Sequence, residues 1–155
     1  MTITSWRIVK KRHSARAFDG EGARINGGRW NSVGVPAVYT AGSISLAILE
    51  MLVHGDPPLA GYIVIPVAFD SALIEDVVGT LPAGWSVYPA PAAVKGIGDE
   101  WLRSRRSVVL RVPSAVVPSE SNFLLNPAHP EYSKLVIGDP VDHPIDPRLR
   151  ARRTA

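Results

Sequence analysis

Proline and glycine punctuate this chain so densely that only short regular elements fit between them. Fourteen prolines and thirteen glycines fall among 155 residues. Proline removes a backbone donor, and glycine frees the backbone where it stands. What remains is a series of brief apolar stretches. Trp6 to Val9 reads as a first strand and PAVYTA (36–41) as a second. GYIVIPVAF (61–69) is a near-continuous apolar run, the pattern of a strand buried on both faces. SVVLRVPSAVV, NFLLNP and SKLVIGDP supply further strands between proline and asparagine turns. Ser43 has the chemistry to cap a helix running through His54, and Asp99 to Arg106 reads as the end of a shorter helix. DGEGARINGGRWNSVGV (19–35) predicts a glycine-rich loop whose backbone can approach a ligand closely. The fold class expected is α+β: a compact single domain with a mixed, largely antiparallel sheet.

Composition limits what such a domain does. At 46% hydrophobic content the chain can bury one full core. It has no cysteine, which excludes disulfides, a thiol nucleophile and cysteine metal sites, and fits a reducing cytoplasm. MTITSWRIVKKRH contains no long apolar segment, so a cytoplasmic protein with no membrane anchor is expected. The net charge of +3 is uneven: basic residues gather at Arg7 to Arg16, at Arg103 to Arg111 and in the tail RLRARRTA. No zinc-finger spacing, helix-turn-helix or RNP-type motif accompanies them, so no direct nucleic-acid binding is expected. The four histidines, at 13, 54, 129 and 143, lack metal-ligand spacing, and no metal is expected.

Glu50 is the sharpest signal. In SISLAILEMLVH nearly every other position is apolar, which predicts a buried helix. A carboxylate there needs a partner: His54 one turn on, a distant arginine, or a ligand. Arg29, after two glycines, suggests a turn presenting a guanidinium, the group that best matches phosphate or carboxylate bidentately. Taken alone, it is equally a surface arginine. Tyr39 on a strand is ordinarily a packing residue, and Trp30 is ordinarily a loop anchor. VPSAVVPSESNFLLNPAHP adds Ser114, Asn122, Asn126 and His129. Ser114 lacks a G-x-S-x-G elbow, which speaks against a hydrolase-type nucleophile. His129, before Pro130, reads as a turn residue.

In their order, these residues resemble the RES-domain toxins, named for an arginine, a glutamate and a serine. The resemblance rests on WRI, GGRWNSVGVPAVYTAGSISLAILE, VPSAVVPSESNFLLNPAHP and the late DPRL, and gives a domain at 1–149 with a basic tail at 150–155. It implies a fold like a compact ADP-ribosyltransferase. It implies a toxin that cleaves the nicotinamide–ribose bond of NAD+, as glycohydrolase or phosphorylase, with NAD+ as substrate and no cofactor. An Xre-like helix-turn-helix antitoxin is the implied partner. By the same resemblance, Glu50 is catalytic together with Arg29 and Tyr39. Arg7 and Arg29 hold the NAD phosphates, Tyr39 packs on the nicotinamide side, and Ser114, Asn122 and Asn126 bind the dinucleotide. The alternatives are an ADP-ribosyltransferase acting on a protein and a non-catalytic NAD- or antitoxin-binding module. For the partner, a basic surface carrying Arg12, Arg16, Arg24 and Arg29 is expected to face acidic groups.

Overall fold

The run at Tyr62 becomes an interior strand of the sheet, paired along its whole length with the N-terminal strand and on its other side with two short strands. The computed structural model describes residues 1–55 and 58–149, so the basic tail lies outside the described residues. In chain order the elements are β1 (Thr2–Lys10), α1 (Glu21–Asn26), β2 (Val38–Ala41), α2 (Ile44–Val53), β3 (Tyr62–Asp70), β4 (Ile74–Asp76), α3 (Ala92–Ser104), β5 (Val109–Pro113), β6 (Ser121–Leu125), β7 (Val136–Ile137) and β8 (Val141–Asp142). One sheet runs β4-β5-β6-β2-β1-β3-β7, with β8 also on β3. Among the described residues only β4 and β5 pair in parallel. The sheet is thus mixed and largely antiparallel, and the class is α+β. No helix among the described residues is long and apolar enough to cross a membrane.

Strand alternation sorts the side chains onto two faces. Ile8, Tyr39, Ala41, Leu110, Val112, Asn122 and Leu124 share the front, by the registers Trp6↔Ala41, Tyr39↔Leu124, Ala41↔Asn122 and Val112↔Asn122. Helix α2 covers one half of this face, with Leu46 and Ala47 on Ala41 and Ile8. Helix α3 covers the other, with Val94, Trp101 and Leu102 on Leu110, Val112 and Leu124. The back carries Val38, Val67, Phe69, Val109, Phe123 and Leu125, and beside them Ile63 and Ile65 against Ala17. Strand β3 is buried on both faces, as its composition requires.

Three expectations change. The glycine-rich segment contains a six-residue helix, α1, bracketed by Gly20 (φ 78°) and Gly27 (φ 68°). Both bracketing glycines have positive φ, a backbone that side chains disfavour, so they delimit the helix rather than loosen it. Helix α3 does end in the segment from Asp99, as expected, but it starts at Ala92 and its 13 residues make it longer than α2 rather than short. Helix α2 is not buried all round: Leu46 and Ala47 are, whereas Leu49 is 39% exposed and Val53 58%. The sheet covers one stripe of it, and the opposite apolar stripe faces outward.

Candidate functional site

Ser43 accepts the Leu46 amide at 3.1 Å and starts α2. Leu46 and Ala47 then turn into the sheet, and Glu50 follows at i+4 and i+3 from them, at the border of the buried stripe. It is half-buried there. Its Oε1 accepts two hydrogen bonds, from Ser114 Oγ at 2.7 Å and from Asn122 Nδ2 at 2.8 Å. Among the described residues its partners are therefore two neutral donors, one just past β5 and one on β6, rather than His54 or an arginine.

Ser114 is fully buried just beyond β5. Its Oγ also accepts the backbone amides of Val116 at 3.1 Å and Val117 at 3.0 Å. With both lone pairs taken, the hydroxyl has one proton to give, and Glu50 receives it. Asn122 projects from the front of β6 opposite Ala41, which brings it under α2.

The loop after α1 is braced from two sides. The Tyr39 hydroxyl accepts the Trp30 amide at 3.0 Å and donates to Asn31 Oδ1 at 2.6 Å. Burial pushes this phenol far above its usual range, so it stays protonated. Asn31, also buried, donates to the carbonyls of Ala23 and Val35. From α3, Asp99 accepts the Ser32 amide at 2.7 Å and the Ser32 hydroxyl at 2.5 Å. One residue earlier, Gly98 lies against the Trp30 carbonyl, and a Cβ there would overlap it.

This frame presents Arg29. Its Nη1 donates to the carbonyls of Trp85 at 3.0 Å and Val87 at 2.9 Å, which ties down the segment before α3. Among the described residues its Nε and Nη2 have no partner. That edge of a guanidinium is the one that grips an oxyanion in parallel. Tyr39 and Asn122 lie on the same face of adjacent strands, so the Arg29 loop and the Glu50 carboxylate share one side of the sheet.

Other candidates sit elsewhere. Arg7 leaves β1 on the back face with Ile65, and donates to Ala17 O at 2.5 Å and Tyr39 O at 3.0 Å. Burial lowers its pKa from the ordinary arginine value, opposed by Tyr132 and Asp19 nearby. Asn126 is buried, donates to Leu102 O at 2.9 Å and accepts the Ala128 amide at 3.1 Å. Four residues along a strand from Asn122, it stands about 13 Å away. It borders a 330 Å³ cavity with Arg103 and Arg105, and a 620 Å³ cavity lies beside Met1, Arg111 and Phe123. Glu50 lines neither; the hydrogen bonds rather than the cavity volumes mark the site. His129 accepts the Glu131 amide through Nδ1, as a turn residue does. Of the expected basic surface, Arg16 pairs with Asp19 and Arg24 with Glu21, which halves the free charge there. The described residues hold no cluster of three or more histidine, aspartate or glutamate side chains fit for a metal ion.

Asn31, Gly98 and Asp99 were not found from sequence. One signal was available: Val94, Gly98, Trp101 and Leu102 form a helical stripe, and a glycine on an apolar stripe marks close backbone approach.

Comparison with known proteins converges. The RES domain family model matches residues 4–146. A Sphingobium sp. (strain YBL2) protein named "Prs ADP-ribosylating toxin" is 45% identical over 139 residues, covering 84% of this chain and 86% of that protein. A Yersinia enterocolitica protein named "Toxin Res" is 40% identical over 149 residues, covering 94% and 98%. Among solved structures, the crystal structure of the M. tuberculosis MbcT-MbcA toxin-antitoxin complex contains a chain of the same fold. The TM-score is 0.74 at 19% identity, over 93% of this chain and 85% of that one.

Proposed function

The chain belongs to the RES-domain family, and from that premise we propose that it is the toxin of a toxin–antitoxin pair and cleaves the nicotinamide–ribose bond of NAD+. The observation that carries this reading is the Glu50 carboxylate, clamped through one oxygen on the same side of the sheet as the guanidinium edge of Arg29 that has no partner among the described residues.

Heterolysis of the glycosidic bond leaves its electron pair on the pyridinium nitrogen. Neutral nicotinamide departs, and C1′ of the ribose becomes oxocarbenium-like. A fixed carboxylate beside C1′ and the ribose hydroxyls stabilises that positive charge, and most strongly where water is scarce. An acceptor oxygen, from water or phosphate, then bonds to C1′ and sheds its proton. Arg29 holds the pyrophosphate through Nε and Nη2, so that binding energy remote from the reacting bond orients the ribose. Tyr39 keeps the Arg29 loop in place through its hydroxyl and offers its ring to the nicotinamide side. Ser114 acts through Glu50 rather than on the dinucleotide, because its hydroxyl has no capacity left. Arg7 supports Tyr39 from behind the sheet. The protein works in the cytoplasm, with an Xre-like helix-turn-helix antitoxin as partner. The fold shared with a chain of a toxin–antitoxin complex supports a partner of that kind.

A second reading, transfer of ADP-ribose to a protein, is favoured by the name of the Sphingobium relative. Both readings break the same bond and differ in the acceptor. The test is incubation with NAD+ in buffer, with inorganic phosphate, and with cell extract, followed by product identification. Free ADP-ribose marks a glycohydrolase, ADP-ribose phosphate a phosphorylase, and a modified protein a transferase. Undiminished NAD+ in every arm refutes both.

A further inference from the structure

Asn122 poses a physical puzzle that its role in the fold does not explain. It stands on the front of β6 between Val112 and Ala41, where an apolar residue would pack well. Its Oδ1 is buried and has no hydrogen-bond partner among the described residues. A buried acceptor left unpaired costs stability. The amide cannot turn over to relieve this, since Oδ1 would then face Glu50 Oε1, acceptor against acceptor. Among the described residues, the only side-chain bond Asn122 makes is the one from Nδ2 to Glu50, at 2.8 Å.

We propose that Asn122 is a positioning residue, retained at a cost in stability, which fixes the rotation of the Glu50 carboxylate so that Oε2 alone is offered to the ligand. Ser114 and Asn122 approach from β5's flank and from β6, and both donate to Oε1. Two donors from different directions on one oxygen stop the carboxylate from spinning, and they leave Oε2 as the oxygen for a ribose hydroxyl and C1′. The inference rests on the reading of Glu50 as the catalytic carboxylate, and it gives that reading a handedness.

The test is Asn122→Leu, and Asn122→Ala as a smaller replacement, each made in the native chain and in a Glu50→Leu background. In the native chain the melting temperature stays within about 3 °C, because the lost bond and the relieved acceptor offset each other. There kcat falls about 10- to 100-fold, the worth of a hydrogen bond to a charged group, while KM for NAD+ changes less than about threefold. In the Glu50→Leu background the same substitution raises the melting temperature, since the amide has lost its one partner. Equal melting shifts in the two backgrounds overturn the proposal. So does an unchanged kcat, or a kcat loss that merely follows a falling melting temperature. Coupled melting shifts in a protein that leaves NAD+ intact would uphold the Asn122–Glu50 clamp and sink the NAD+ reading instead.

Discussion

On the proposed reading, Glu50 contributes a charge whose position matters more than its volume. Glu50→Gln keeps the size and an acceptor oxygen for Ser114 and Asn122, so the melting temperature should hold while turnover falls about a hundredfold or more. Full turnover with an unchanged melting curve would remove Glu50 from the chemistry. On the proposed reading Arg29 has two tasks, since Nη1 holds the Trp85 and Val87 carbonyls and, among the described residues, the opposite edge is free. Arg29→Lys should therefore raise KM for NAD+ by about tenfold and loosen the 85–87 segment, as an ammonium can serve one task but not both. Hydrogen exchange of that segment, beside steady-state kinetics, checks each half. The glutamate was legible in the sequence because a carboxylate within an apolar helical run needs an explanation. Its partners were not, because Ser114 and Asn122 lie 64 and 72 residues further on, and only strand pairing brings them under α2. Asn126, in the same motif, ended on the opposite end of β6 for the same reason.

At the level of elements, α3 acts as the buttress of the Arg29 loop. Its two glycines make a matched pair for testing this. Gly96 has open space around it, so Gly96→Ala should stabilise the protein by about 0.5–1 kcal/mol through helix propensity. Gly98 faces the Trp30 carbonyl, so Gly98→Ala must push the loop off the helix and break the Asp99–Ser32 bonds. A destabilisation of about 1–3 kcal/mol is expected, with an accompanying loss of NAD+ affinity. Denaturant melts of the two variants decide the matter, and equal effects would show that the close approach is not a constraint. Helix α2 and the long strands were readable from capping and apolar runs. Helix α1 was not, since its six residues are framed by glycines that normally announce a loop, and the bond that ties it to the following loop, from Asn31 to the Ala23 carbonyl, carries no signal in the sequence.

For the molecule as a whole, pH tests the charge distribution. Asp19, Asp70, Glu131 and Asp146 all titrate below the ordinary carboxylate value, Asp19 and Asp70 through backbone amides first, Glu131 and Asp146 through a lysine and an arginine first. Groups so shifted add stability above their unfolded pKa, and that contribution is lost as pH falls below about 4 toward their lowered folded values. Tyr132 is pushed up to about 12 and Tyr39 higher still, both by burial. Their contribution is complete below about pH 10, where unfolded tyrosine ionises, and is lost as pH rises beyond it. Melting temperature should therefore be flat between about pH 5 and 9 and fall on either side. In Tyr132→Phe, which also loses the bond to Phe18 O, the alkaline fall should be shallower. The sheet order has a consequence for the moment of synthesis. Strand β2 has no complete neighbour until β6 exists, and Asn122 is made 72 residues after Glu50. At ribosomal speeds of roughly 5–20 residues per second, that is about 4 to 14 seconds during which the nascent chain carries its carboxylate unassembled. On the proposed reading of Glu50 the chain is inactive through that interval, which leaves time for an antitoxin to meet it as it is made.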